Sequence, residues 1–488
     1  MQAETDRNHR ILLAALCCFL AAVPFMLVKF PPIVDLPQHA AQVRLFGEAV
    51  GDPASPYKIQ WATPYSLVYT VLGASWLIFG AENAGRLGML LVVLLSVAML
   101  HLLAARAKQP AAMAVLASVL FFSHILYWGF YPFAFGWLVF LAYVILLQTN
   151  IRGRRREALS FLAIWAALYF AHILWFLVAV GWLGLRYLLV ERDLKRDLVR
   201  GVGAIPFLVL GALWYPTLAA YGFESRAIWA TMPFQRLLPA WLSDAVFGGL
   251  RGALEPVFFG GMCAWALLAW FLSRRGRAGK GNRELLLLGG LLLLLALVLP
   301  EKQTHTIRFS QRWAPPALAF LLLGLPSVRV RSRFLVWPAV AAATVFFALT
   351  SVSWVAFERQ EMSGLRESLA ALPPRPRLIG LCPLKESPIA RGWPFVQVFA
   401  YGQVYRGGEL NFSFADFAPS LVVYEKRRIK PWTTGLEWFP EKAKQGDLQF
   451  FDYLLMGGND GMHETVARDP GLQPLTRSGR WRLYRVRR

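Results

Sequence analysis

Acid is scarce in this chain: 29 Asp and Glu stand against 51 Lys and Arg in 488 residues, a formal charge of +22. In a soluble protein that excess points to nucleic acid. Here the basic residues come in short clusters between apolar runs, where they report which loops stay inside a membrane, so a nucleic-acid partner is set aside. Cysteine is also rare. Of four, Cys17, Cys18 and Cys263 fall in apolar runs and only Cys382 in polar sequence, so no disulfide partner for it is evident and the redox compartment stays undecided. A Walker or Rossmann glycine loop is missing, which leaves an ATP-driven pump without support, and so are a Cys/His set at metal-ligand spacing and any internal repeat.

What the chain has instead is apolar residue: 57% is hydrophobic and the mean hydropathy is +0.45, the composition of a polytopic membrane protein. The first apolar run, 11–28, follows Arg7 and Arg10, is longer than a signal-peptide core and lacks a small-x-small cleavage site, so it reads as an uncleaved span with a cytoplasmic N-terminus. The basic clusters at 106–108, 152–156, 191–200, 273–283 and 329–333 should all be cytoplasmic, which requires an even number of crossings between any two. On that parity 61–80 is not a full crossing but a helix lying against the outer leaflet or re-entering it. The same parity places two short helices in 158–189 with a turn near His172. With 85–105, 111–126, 133–148, 201–220, 256–272, 285–299, 314–326 and 334–354 the total is about eleven crossings, N-terminus in and C-terminus out.

The predicted fold is therefore a mainly α, polytopic helical bundle with a small C-terminal extracytoplasmic α/β domain. Its parts are a transmembrane domain at 1–354 whose loop 30–84 carries amphipathic helices, a stiff linker at 355–377 ending in "PPRPR", and a soluble domain at 378–488. The runs "PRLIGLCPL", "FVQVFAYGQVY", "SLVVYEK", "FDYLLMGG" and "RWRLYRV" read as strands of that domain.

Polar chemistry is expected in the outward loops. In "DLPQHAAQ", Asp35, His39 and Gln42 follow at i, i+4 and i+7 on one face of a helix whose other face is apolar. A carboxylate and an imidazole so placed can hydrogen-bond to each other and take a proton from a hydroxyl. Equally, Asp35 with Gln38 three residues on is a helix cap with a capping-box-like partner, and the two roles are compatible. The loop "LPEKQTHTIRFSQRWAPP" gathers Lys302, His305, Arg308 and Arg312 against the positive-inside trend, and guanidinium forks suit a phosphate; snorkelling to head groups is the alternative. Arg226 and Arg236 lie in the preceding outward loop. "YWGFYPFAFG" breaks a helix with two glycines and a proline, so its backbone must line a cavity or pack on protein. Each Trp alone is as well explained by the interfacial aromatic belt.

This layout, with "DLPQHAAQ" after the first span, "GFYPFAFG" further on and a C-terminal extracytoplasmic domain, resembles the GT-C superfold of polytopic glycosyltransferases. That superfold includes the protein mannosyltransferases, aminoarabinose transferases and oligosaccharyltransferase catalytic subunits. The resemblance implies a bacterial inner-membrane enzyme that transfers a sugar from a polyprenyl-phosphate donor, a membrane lipid, to an extracytoplasmic glycan, lipid or protein. By position Asp35 would be the base, with His39 assisting, and Arg308, Arg312, Lys302 and His305 would hold the donor phosphate. Gln42, His124, Tyr131, Trp128 and Arg226 would line the substrate. Many members carry a second acid in the next outward loop, but "SHILYWGFYPF" has none, so either His124 or Tyr131 substitutes or the activity has changed, and a divalent metal is possible without being required. A lipid-linked glycan flippase would instead need charges paired in mid-span, and a non-catalytic scaffold would tolerate Asp35→Asn.

Overall fold

The computed structural model describes residues 2–221, 226–274, 281–303, 306–326, 332–426 and 428–487. Parts of the basic clusters at 273–283 and 329–333 lie outside them, as does His305. Five helical stretches are long and apolar enough to cross a membrane: Arg7–Leu27, Ala81–Arg106, Ala111–Trp128, Leu194–Leu218 and Val336–Glu361. Four shorter apolar helices, Val68–Phe79, Tyr131–Leu147, Ile173–Leu189 and Leu254–Leu268, accompany them. The first helices are α1 (Gln2–Leu27), α2 (Leu36–Gly51), α3 (Val68–Phe79) and α4 (Ala81–Arg106). With 12 residues, α3 is about 18 Å long at 1.5 Å per residue, too short for a hydrocarbon core of about 30 Å. The expected break near His172 lies between Arg154–Ala171 and Ile173–Leu189, where His172 is extended (φ −171°) and its Nδ1 accepts from Leu174 N at 3.2 Å.

Nine short strands occur among the described residues: β1 Tyr57–Ile59, β2 Ala227–Ile228, β3 Lys302–Gln303, β4 Arg377–Leu381, β5 Glu409–Leu410, β6 Val422–Tyr424, β7 Tyr453–Gly457, β8 Leu472–Pro474 and β9 Trp481–Val486. The chain divides into two compact units. One comprises 1–24, 91–126 and 132–351, the other 25–90, 127–131 and 352–488.

The first unit is helical, with the β2–β3 pair as its sheet. Its core is aromatic: Phe133, Phe140, Trp175 and Trp313 have ring centroids about 5 Å apart. Charge in this unit concentrates at helix ends. Glu157 Oε1 accepts from Arg196 and Arg200 at 2.9 and 2.8 Å, and Arg186 donates to Glu284 and Glu191, both at 2.8 Å.

The second unit holds a five-stranded sheet of order β5-β4-β7-β9-β8, with β4 parallel to both neighbours and β9 antiparallel to β7 and β8. Side chains alternate across it, as the period of two requires. Leu378, Leu455 and Leu483 join one buried cluster with Phe30, Phe357 and Trp481, while Ile379, Leu454 and Tyr484 join another with Trp432 and Phe451. "SLVVYEK" does supply a strand, but β6 pairs with β1 from the first loop, Tyr57 opposite Tyr424. "FVQVFAYGQVY" is not a strand. It turns and then forms the helix Ala400–Arg406, because residues 398–404 are buried on every side, and a continuous buried apolar run carries no periodicity to separate strand from helix.

Candidate active site

The "DLPQH" segment heads α2 inside the second unit. Pro37 sits in the first helical turn, where a missing N–H costs nothing. From Pro31 to Ala41 every residue is buried except Asp35, which is half-buried. One distant stretch of chain, 127–129, holds it there. Val34 N donates to Tyr127 O at 2.9 Å and Asp35 N to Trp128 O at 3.2 Å. The next residue, Gly129, has φ +74°, and a Cβ on it would lie 2.8 Å from Asp35 N and 3.1 Å from Asp35 Cβ. Only glycine allows that conformation and that approach together.

The capping expectation is corrected. Asp35 occupies the N-cap position, yet its side chain makes no capping hydrogen bond. Gln38, the expected box partner, instead donates to Gln397 Oε1 (2.7 Å) and Phe412 O (3.3 Å) and accepts from Phe414 N (2.9 Å). These bonds use both N–H donors of the amide and one lone pair of its oxygen, and the Asp35 N–H that a box partner would accept goes to Trp128 O instead.

His39 is also engaged differently from the expected Asp35 pairing. Its Nδ1 meets the Tyr69 hydroxyl at 2.9 Å and its ring is hydrogen-bonded to the Gly129 backbone. Burial lowers its pKa to about 3, against the opposing pull of the Gly129 bond. It is therefore neutral at physiological pH and cannot store a proton as imidazolium there. The rings of Phe414 and Tyr131 stand 5.1 and 5.9 Å from it, and the Tyr131 hydroxyl is buried without a hydrogen-bond partner. Tyr69, within the field of the Asp35 carboxylate, and Gly129 are the residues that sequence reasoning did not assign. The signal for Tyr69 was its place in 61–80, the stretch that charge parity ruled out as a crossing.

Gln42 and Trp128 are both engaged with the C-terminal residues. Gln42 donates to Val422 O (3.0 Å) and accepts from Val422 N (2.8 Å), clamping β6. Trp128 stacks on Trp438 at 6.4 Å and 22°.

In the first unit the 299–316 loop brings Arg308 and Arg312 together with His124. Arg308 holds a left-handed φ of 49° and its Nη1 donates to Asp244 Oδ2 at 3.1 Å. Arg312 is buried, donates from Nη2 to Ile307 O at 3.0 Å and lies over the Phe133 ring at 5.8 Å. His124, fully buried, is within reach of both guanidinium charges and of the Ala245 backbone. Lys302 is exposed on β3, and Arg226 is exposed one residue before β2, which pairs with β3. Arg236 serves another purpose: buried, it donates to the carbonyls of Ala296, Leu297 and Leu299 and so closes the C-terminal end of the helix Arg283–Val298. Among the described residues no group of three or more His, Cys, Asp or Glu is placed to hold a metal ion.

No family model matches the chain, and no curated protein matches it. Two crystal structures of ArnT from Cupriavidus metallidurans do resemble it. One, bound to undecaprenyl phosphate, has a TM-score of 0.56 at 14% identity and covers 97% of both chains. The other, in the apo state, has a TM-score of 0.55 at 14% identity, covering 99% of this chain and 98% of that one. The likeness extends over nearly the whole length and shows the fold: an ArnT-like helical architecture with a small C-terminal sheet domain.

Proposed function

We propose that this chain is a membrane glycosyltransferase that moves a sugar from a polyprenyl-phosphate donor to an extracytoplasmic acceptor. The observation that carries the reading is Asp35: the one half-buried residue in the otherwise buried 31–41 stretch, seated by Gly129 at the start of α2. A cap needs no such seat. A base does, because general-base catalysis requires a carboxylate held within hydrogen-bond reach of the proton it takes.

In the proposed step the acceptor hydroxyl loses its proton to the Asp35 carboxylate as its oxygen attacks the anomeric carbon. The bond from that carbon to the phosphate oxygen breaks, its electron pair leaves with the phosphate, and the configuration inverts. Arg308 and Arg312 meet the charge developing on the departing phosphate, with Lys302 and His305 supporting them. His39, neutral and hydrogen-bonded to Tyr69 and Gly129, positions this end of α2 and does not take up the acceptor's proton. The N-terminus is assigned to the cytoplasm, and the 378–488 domain to the outer side of a bacterial inner membrane. A flippase is less well supported: the paired charges found, Glu157 with Arg196 and Arg200 and Arg186 with Glu284, lie at helix ends and not in mid-span.

The test is transfer of labelled sugar from an extracted polyprenyl-phosphate donor pool by purified protein. Asp35→Asn is expected to lose about a thousandfold in rate with an unchanged melting profile, and Arg308→Ala about a hundredfold. Equal transfer by wild type and Asp35→Asn removes Asp35 from the chemistry.

A further inference from the structure

The far end of α2 bounds a cleft that this chemistry does not use. Within the second unit a cavity of about 710 Å³ opens among the 48–57 segment, the 375–377 segment entering β4, Gly408 and Glu409, and the end of β6. A second, of about 370 Å³, runs on along α2 to Trp76 and shares Glu48, Asp52 and Arg375 with the first. These volumes fall in or near the roughly 300–1,000 Å³ range of small-ligand sites.

The walls of the cleft are shaped by close backbone approaches. Gly407 and Gly408 have φ of 72° and 83°; a Cβ at Gly407 would lie 2.7 Å from Glu48 Oε1, and one at Gly408 2.2 Å from Pro376 O. Two successive glycines thus let the chain entering β5 close against α2 and the 375–377 segment at once. Along the larger cavity the described residues supply four basic side chains and four carboxylates. Arg377 and Arg428 both pair with Glu409. Tyr57 and Tyr424, opposite each other in the β1–β6 register, add two rings 5.0 Å apart.

A lining in which the charges cancel favours neither anion nor cation, because what a net charge gains at one set it loses at the other. A polyhydroxyl ligand avoids that conflict. Each hydroxyl donates and accepts, guanidinium and carboxylate pairs supply both partners, and the tyrosine and tryptophan rings offer apolar faces to the ring carbons. We propose that this cleft binds a neutral oligosaccharide, the distal part of a glycan acceptor whose reacting end is at Asp35. The assignment to the acceptor rests on the transferase reading above. Glu48 follows Asp35 by 13 residues, about 20 Å along the helix, so an extended glycan would contribute binding energy remote from the reacting atoms.

The experiment is calorimetric titration of the purified full-length protein with maltopentaose, chitopentaose and mannopentaose, with penta-galacturonate and inorganic phosphate as charged comparisons. At least one neutral pentasaccharide is expected to bind, with affinity lowered tenfold or more by Tyr57→Ala and by Arg375→Gly. The Arg375 variant guards against misfolding, because that residue is exposed and its φ of 50° suits glycine. Preference for galacturonate or phosphate, equal binding by wild type and both cleft variants, or no binding of any neutral pentasaccharide overturns the proposal. Oligosaccharide binding by a protein that transfers no sugar from any polyprenyl-phosphate donor supports the cleft and tells against the transferase reading, so the two failures are distinguishable.

Discussion

The Asp35 seat and the Arg308–Arg312 loop are both polar sites in an apolar protein, but they are held by different means. Asp35 is positioned by directional bonds from separate stretches of chain: backbone pairs to Tyr127 and Trp128, the Gly129 contact, and glutamine side chains reaching the 397–422 region. Arg312 bonds within its own loop, to Ile307, above the Phe133 ring, and Arg308 reaches the Asp244 carboxylate 64 positions away. A carboxylate that must meet one proton needs angular precision, and hydrogen bonds with fixed backbone supply it. In the proposed step the guanidinium groups meet a spread phosphate charge, which asks for proximity and field more than one exact angle, and Arg312 resting on the Phe133 ring suits that.

This contrast can be broken most severely at Gly129. Gly129→Ala forces an L-residue into the left-handed region, about 1–2 kcal/mol, and drives a methyl into the Asp35 backbone, so a total of about 4 kcal/mol is expected, seen as loss of folded protein and of transfer together. A milder break is Gln42→Ala, which leaves the Val422 N–H and C=O without their partner; about 2–3 kcal/mol of stability should go, measured by urea titration in detergent. On the other side, Arg312→Lys keeps the charge and removes the planar fork. Transfer is expected to fall about tenfold to thirtyfold with little change in melting temperature, and an equal fall in stability would make Arg312 a packing residue only.

A last test sharpens the comparison through pH. The His39 pKa of about 3 lies below its unfolded value of 6.5, so between those values the unfolded chain binds a proton at this site that the folded chain does not. Stability then rises with pH across that window, by at most about 1.4 kcal/mol per unit from this group, and the dependence ends above the unfolded value. His39→Gln should lower the slope of melting temperature against pH between 4 and 6. An unchanged slope would mean that His39 is not held neutral.

Local pattern determined much of this protein. Apolar run length marked the long helices, charge parity separated α3 from the spans, and the extended break at His172 and the strands β4, β7 and β9 lie where composition put them. Position after the first span also singled out Asp35, and a loop rich in Arg singled out Arg308 and Arg312. Tertiary structure alone decided that Asp35 does not cap α2, that Gln38 and Gln42 bond to residues more than 350 positions away, that β1 pairs with β6, and that the 395–406 run ends as a helix. The reason is one of range. Burial periodicity and charge act between neighbours in sequence and can be read there, whereas a polar side chain takes whichever distant backbone group the packed chain leaves unsatisfied, and nothing in the local pattern names that partner.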